Sequence, residues 1–138
     1  METAPTKYPT AALIDGQWIT SSRSFAVINP ATGAEIAQVP NLGAKETLAA
    51  IDAASRALPA WSAKTAKDRA IILKRWFDLV TADTEHLAQL MTAEQGKPLT
   101  ESRGEVAYGA SFIEWFAEEG KRAYGRTIPT TVASRRYI

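Results

Sequence analysis

Cysteine is absent from the 138 residues, so no disulfide, no thiolate zinc ligand and no thiolate nucleophile can be built from them. Histidine occurs once, at His86. With no serine, cysteine or metal-ligand partner at usable spacing, that imidazole reads as a surface group rather than a catalytic base. Long apolar runs are missing too. None approaches the roughly 18 residues of a membrane span, and the polar start METAPTKYPT has neither the basic nor the apolar region of a secretory signal. The cytoplasm is therefore the expected compartment. Charge of one sign is not in excess: sixteen Lys and Arg against fifteen Asp and Glu leave +1, which demands neither nucleic acid nor a membrane as partner. Neither GxGxxG nor GxxxxGK(S/T) occurs, so phosphate cradling finds no support.

What is there suits one folded domain. Hydrophobic residues at 46% and charged residues at 22% exclude a mainly disordered chain, and this length can bury roughly two-thirds of its unfolded surface. Residues 1–10 hold two prolines and three threonines without apolar period and are expected to form a flexible tail. In ALIDGQWI, apolar runs flank Asp15-Gly16, the pair that best accepts the two positive φ angles of a type I′ hairpin. A second strand pair, FAVI and EIAQV, is joined through Asn29, Pro30 and Gly33. From Ala44 the period lengthens to about 3.6. Leu48, Ile51, Ala54 and Leu58 mark a helix face that Pro59 should end. Thr65, three residues before Asp68, opens another helix in the manner of a capping box, with Ile72, Trp76, Leu79 and Val80 as its expected buried stripe. A turn-rich break at 81–84 leads to a short helix with Leu87, Leu90 and Met91 on one face, closed by Gly96 at C′. Pro98 suits the start of a last helix from Leu99 to Ala123. That helix contains Gly104, Gly109 and Gly120, each costing roughly 1 kcal/mol relative to alanine. Tight packing against another element, or room for a ligand at Gly109, would explain them. After Gly125 a loop enters a strand at RRYI.

The stretch FIEWFAEEGKRAYG concentrates the question of function. Phe112, Trp115 and Phe116 follow the i, i+3, i+4 rule and share one helix face, which reads first as core and alternatively as the wall of a substrate passage. Glu114, Glu118 and Glu119 could pair as acid and base, but Glu118 and Arg122 stand four apart, the favourable order for a solvated ion pair.

The segments ALIDGQW, NPATGAEIAQVP, AAIDAASRALPAW, TAKDRAIILKRWFDL and MTAEQGKPLTESRGEVAYGASFIEWFAEEGKRAYGRTIP resemble, in order and spacing, the amino-terminal part of the aldehyde dehydrogenase family. The similarity is greatest to succinate-semialdehyde dehydrogenases of the NADP-preferring bacterial type, and runs from about Ala11 onward. It implies an α/β fold in a protein several times longer, with these hairpins and helices flanking a Rossmann-like cofactor domain. Residues 11–125 would be the amino-terminal part of that domain and residues 126–138 the start of an oligomerisation arm.

In the family a cysteine thiolate attacks the aldehyde, hydride passes to NAD or NADP, and a glutamate-activated water hydrolyses the thioester. An asparagine and a backbone N–H stabilise the oxyanion. None of those groups is assignable here, so the resemblance implies no catalytic residue, no cofactor contact and no turnover by these residues alone. It implies a small aldehyde, succinate semialdehyde, as substrate of the full-length enzyme, and a homo-oligomer, dimer or tetramer. By position it places Tyr108, Gly109, Phe112 and Trp115 on the helix that lines the aldehyde tunnel, Phe112 foremost. Some relatives hold a monovalent cation where Val27, Ile28 and Glu94 stand; a solvated Glu94 is the simpler reading, and no metal is expected. The alternative function is a non-catalytic scaffold or interaction module using the aromatic face and the RRYI edge.

Overall fold

The computed structural model describes residues 9–133 and 136–137; residues 1–8, most of the expected tail, and 134, 135 and 138 of the expected arm lie outside them. Strands β1 (Ala12–Ile14) and β2 (Gln17–Ile19) pair antiparallel with Leu13 opposite Trp18. Asp15 and Gly16 turn the corner at φ of 52° and 74°, the two positive angles a type I′ turn requires. Strands β3 (Ser24–Ile28) and β4 (Glu35–Pro40) form the second hairpin. Its turn is tied by Asn29, whose Oδ1 accepts the N–H of Ala31 at 2.9 Å and of Thr32 at 3.3 Å.

Four helices follow. Helix α1 (Ala44–Ser62) runs a turn beyond the expected stop at Pro59. The ring removes one donor, the N–H that would reach Ser55. Pro59 still accepts the N–H of Ala63 at 3.1 Å, and the Ser62 hydroxyl donates to the Leu58 carbonyl at 2.9 Å. Helix α2 (Ala66–Ala82) starts as the sequence indicates, with Thr65 Oγ1 accepting the Asp68 N–H at 3.1 Å. The expected break at 81–84 contracts to Asp83, because Thr84 begins α3 (Thr84–Gln95) and its hydroxyl donates to the Thr81 carbonyl at 2.7 Å. Gly96 closes α3 in the left-handed region at φ 84°, as a C′ glycine does.

Helix α4 (Leu99–Glu119) ends earlier than Ala123 and passes into a 3-10 turn at Gly120–Arg122. Gly120 is therefore a terminal residue and carries no helix-interior cost. Strands β5 (Thr127–Ile128) and β6 (Arg136–Tyr137) close the chain as a third antiparallel pair.

The core is small and lies where α4 meets α2 and α3. Along α4 the buried line is Ser102, Val106, Ala110 and Ala117, spaced in steps of four and seven so that one face points inward. Short side chains there let the helix axes approach closely. Ala70 and Ala88 face them from α2 and α3, and the fully buried Ser102 hydroxyl bonds Thr92 Oγ1 at 2.8 Å. Of the expected stripe of α2 only Val80 is on the inner side, with Ala70, Leu73 and Phe77; Ile72, Trp76 and Leu79 are exposed. Both sets have helical spacing, and periodicity alone does not choose between two apolar faces. Helix α1 buries none of its residues, and Leu48, Ile51 and Leu58 are open.

Candidate functional site

On α4 the side away from the core carries Tyr108, Phe112, Trp115 and Phe116, between 46% and 66% exposed. The rings are thus not the core of this chain. Tyr108 and Phe112, one helical turn apart, meet edge to face with centroids 4.8 Å apart and planes at 82°, the arrangement that sets a positive ring edge on a negative face. Phe112, Trp115 and Phe116 line a shallow groove of about 340 Å³ with Ser111. Ser111 donates its hydroxyl to the Tyr108 carbonyl at 2.7 Å. What the groove offers a small molecule is therefore chiefly aromatic surface and van der Waals contact.

Gly109 stands apart from these rings. It opens on a second cleft of about 390 Å³, between α3 and α4, whose walls include Leu90 and Met91 of α3 and Val106, Ala110 and Ile113 of α4, with Glu94 as its charged lining residue. A Cβ added at Gly104 or Gly109 would meet nothing within 4 Å. The close packing expected of these two glycines is thus not made within the described residues, and the room expected at Gly109 is there.

Glu114, Glu118 and Glu119 of α4 are held in ion pairs. Glu114 lies 3.3 Å from Lys74, which also approaches Asp78 at 3.4 Å and sits 4.1 Å from the centre of the Phe77 ring. Desolvation lowers the Lys74 pKa, but the hydrogen bonds to Glu114 and Asp78 outweigh it and the net shift is upward. Glu118 pairs with Lys121 and Glu119 with Arg122, both at 2.7 Å, in place of the expected Glu118–Arg122 pair. The reason is the tightened end of the helix, where a 3-10 turn superposes residues three apart. A hydrogen bond from Lys121 holds Glu118 below the usual carboxylate value. Ion-paired, outward-facing carboxylates make a solvated charged face rather than an acid–base pair. His86 is half-buried on α3.

Contacts that spacing did not signal tie α3 to α4. Arg103 grips Glu85 through Nε at 2.8 Å and Nη2 at 2.9 Å, and Gln89 donates to the same carboxylate at 3.0 Å. The Arg103 hydrogen bonds, then that of Gln89, bring the Glu85 pKa down to about 2. Lys97 pairs with Glu105. Lys97 and Glu105 stand eight residues apart and Arg103 and Glu85 eighteen, beyond the helical i, i+4 rule.

The helix starts among the described residues do not offer a pyrophosphate a seat. Each of the four helices carries an acid in its first turn, Glu46, Asp68, Glu85 or Glu101, where a pyrophosphate needs free N–H groups and no negative charge. Glu46 already accepts the Gly43 N–H at 3.0 Å, and that bond lowers its pKa. Among the described residues no group of three or more His, Asp or Glu could hold a metal ion. Val27 and Ile28 lie on β3 and Glu94 is exposed on α3.

The sequence from residue 18 to 138 matches the model of the aldehyde dehydrogenase family. The NADP-dependent succinate-semialdehyde dehydrogenase of Escherichia coli (strain K12) is 59% identical over 129 residues, 92% of this chain and 27% of that relative. The glutarate-semialdehyde dehydrogenase of Pseudomonas aeruginosa is 55% identical over an equal stretch, again 92% of this chain and 27% of the relative. Among solved structures, succinate-semialdehyde dehydrogenase from Burkholderia pseudomallei superposes with a TM-score of 0.86 at 52% identity, covering 94% of this chain and 28% of that one. The chain spans about a quarter of the length of the relatives it matches. The hairpins, the four helices and the aromatic face of α4 accordingly form part of an α/β fold, and the chain belongs to the aldehyde dehydrogenase family.

Proposed function

We propose that these residues are the supporting flank of an NAD(P)-dependent aldehyde dehydrogenase that oxidises succinate semialdehyde to succinate. The observation that carries this reading is 59% identity to a succinate-semialdehyde dehydrogenase through 92% of the chain. Residues 11–125 are the amino-terminal part of its cofactor domain and residues 126–138 the start of the arm through which it forms a homo-oligomer in the cytoplasm. NADP or NAD binds outside these residues, and so does the reacting thiol, since no cysteine occurs among them.

Within this scheme the aromatic face of α4 is the wall of the aldehyde passage, with Phe112 foremost and Tyr108 and Trp115 beside it. An apolar wall excludes water from a thioester intermediate and gives an aliphatic semialdehyde a surface to pass along. Phe112→Ala in the full-length enzyme is expected to lower kcat/KM for succinate semialdehyde about tenfold, with a small change in Tm. A fall in Tm with unaltered kinetics would make the ring a packing residue instead. The 138-residue polypeptide alone is expected to form no NADPH from aldehyde and NADP+, and to bind no NADP+ in calorimetry. Micromolar binding would contradict the reading.

A further inference from the structure

The two halves of α4 are held differently. Its first turns are joined to α3 by the buried Ser102–Thr92 hydroxyl bond and the Arg103–Glu85 fork. The half that carries the rings is joined to α2 through Glu114, whose Oε1 accepts from Lys74 Nζ at 3.3 Å. Glu114 stands four residues after buried Ala110 and three before buried Ala117, at the edge of the inward line. Phe112 lies two residues before it and Trp115 one after, so on a helix rising about 1.5 Å per residue all three fall within one turn.

Lys74 is itself held by two further groups. Asp78 Oδ1 lies 3.4 Å from its Nζ, and the centre of the half-buried Phe77 ring 4.1 Å. An exposed ion pair on its own contributes little, because two long side chains must be ordered to make it. Here the ring face and the second carboxylate already order one of the two. We propose that Lys74 is a positioning residue for the aldehyde passage: through Glu114 it fixes the rotation of α4 about its own axis at the level of Phe112 and Trp115. The proposal rests on the reading of those rings as the wall of the passage. Rotation is the motion that the core here restrains least, since Ala110 and Ala117 form low ridges with little to interlock. A turn of about 10° moves a ring lying about 6 Å from the helix axis by about 1 Å. Such a shift changes how the aldehyde enters and binds, while the reacting thiol, which lies outside these residues, is left where it was.

The test measures KM and kcat for succinate semialdehyde in the full-length enzyme carrying Lys74→Met, Glu114→Gln or Lys74→Arg. Each of the first two is expected to raise KM about threefold with kcat within about twofold, the pattern of altered binding. Lys74→Arg keeps the charge and the ring contact and should return KM to near the wild-type value. If KM is unchanged in both neutral variants, whatever happens to Tm, the pair is an ordinary surface contact and the inference fails. If kcat falls while KM holds, the disturbance reaches the reacting centre instead of the wall, and the inference fails as well. Should Lys74→Met not fold, Glu114→Gln, which keeps size and shape, decides. Phe112→Ala measured beside them separates the two readings. A kinetic effect there with none from Lys74 and Glu114 leaves the wall standing and removes the positioning role. Silence from Phe112→Ala removes the wall, and the positioning role with it.

Discussion

Gly96 shows how one residue joins two parts of the chain. It sits at φ 84° and ends α3, its N–H bonding the Thr92 carbonyl at 2.9 Å. A Cβ there would stand 2.9 Å from Cγ of Pro30, so the glycine also lets the turn between β3 and β4 lie against the end of α3. Gly33 has a similar angle, 72°, but open space where its Cβ would be. The pair separates backbone strain from steric contact. Gly33→Ala should cost about 1 kcal/mol, the left-handed penalty alone. Gly96→Ala should cost about 2–3 kcal/mol, because the Pro30 ring must also shift. Urea unfolding of the full-length protein carrying each variant measures both; equal costs would mean that the Pro30 contact contributes nothing. The turn chemistry of both glycines is legible in the sequence, since Gly after a helix and Gly closing NPATG have local meaning. The contact between them is not, because it depends on where a hairpin and a helix end come to rest.

Helix α2 is well marked at its start. Thr65 accepts the Asp68 N–H, and its own hydroxyl donates to the Asp68 carboxylate at 2.7 Å, so Thr65→Ala should cost about 1 kcal/mol and Thr65→Ser only a few tenths. Equal losses from both would point to the Thr methyl group instead of the cap. Between α3 and α4 the Glu85–Arg103 fork gives a pH signature. The Glu85 pKa is lowered from 4.5 to about 2 in the folded state, so the pair stabilises fully above pH 4.5 and loses its effect as pH falls toward 2. Both side chains are about half exposed, so salt should weaken the effect. Arg103→Gln is expected to flatten the stability profile between pH 4.5 and 2, and an unaltered slope in acid titration would remove the pair from the account. Caps of this kind follow from a short local pattern, and the sequence shows them. Which face of α2 or α4 turns inward does not follow in that way. Ile72, Trp76 and Leu79 have as good a helical spacing as Leu73, Phe77 and Val80, and the rings of α4 are more apolar than its alanine line. On α4 the larger apolar face reads as core, yet its small residues are what let the helices meet, and the rings look outward. The Glu85–Arg103 fork escapes sequence reasoning for a related reason: its partners become neighbours only once α3 folds back on α4.

At the scale of the whole molecule, large apolar side chains on three of the four helices are more than half open to water. Leu48 and Leu58 on α1, Trp76 on α2, and Trp115 and Phe116 on α4 are each between 56% and 61% exposed, and Ile51, Leu79 and Phe112 on the same helices are exposed as well. So many large apolar side chains in water mark a surface suited to being covered. Burial at about 25 cal/mol per Å² makes leaving them in water unfavourable, and with a near-neutral net charge of +1 little electrostatic repulsion opposes association between copies. The 138-residue polypeptide in isolation is therefore expected to self-associate. Light scattering during a concentration series should show mass rising above that of a monomer, and the dye ANS should fluoresce on mixing. The effect should strengthen with ammonium sulfate, which favours apolar burial. Replacing Trp115 and Phe116 together by Ser should reduce dye binding without loss of helical circular dichroism, because neither ring contributes to the core line of α4. A monodisperse monomer that leaves the dye dark at high concentration would show that these faces are satisfied within the chain. The case for a missing covering partner would then fall.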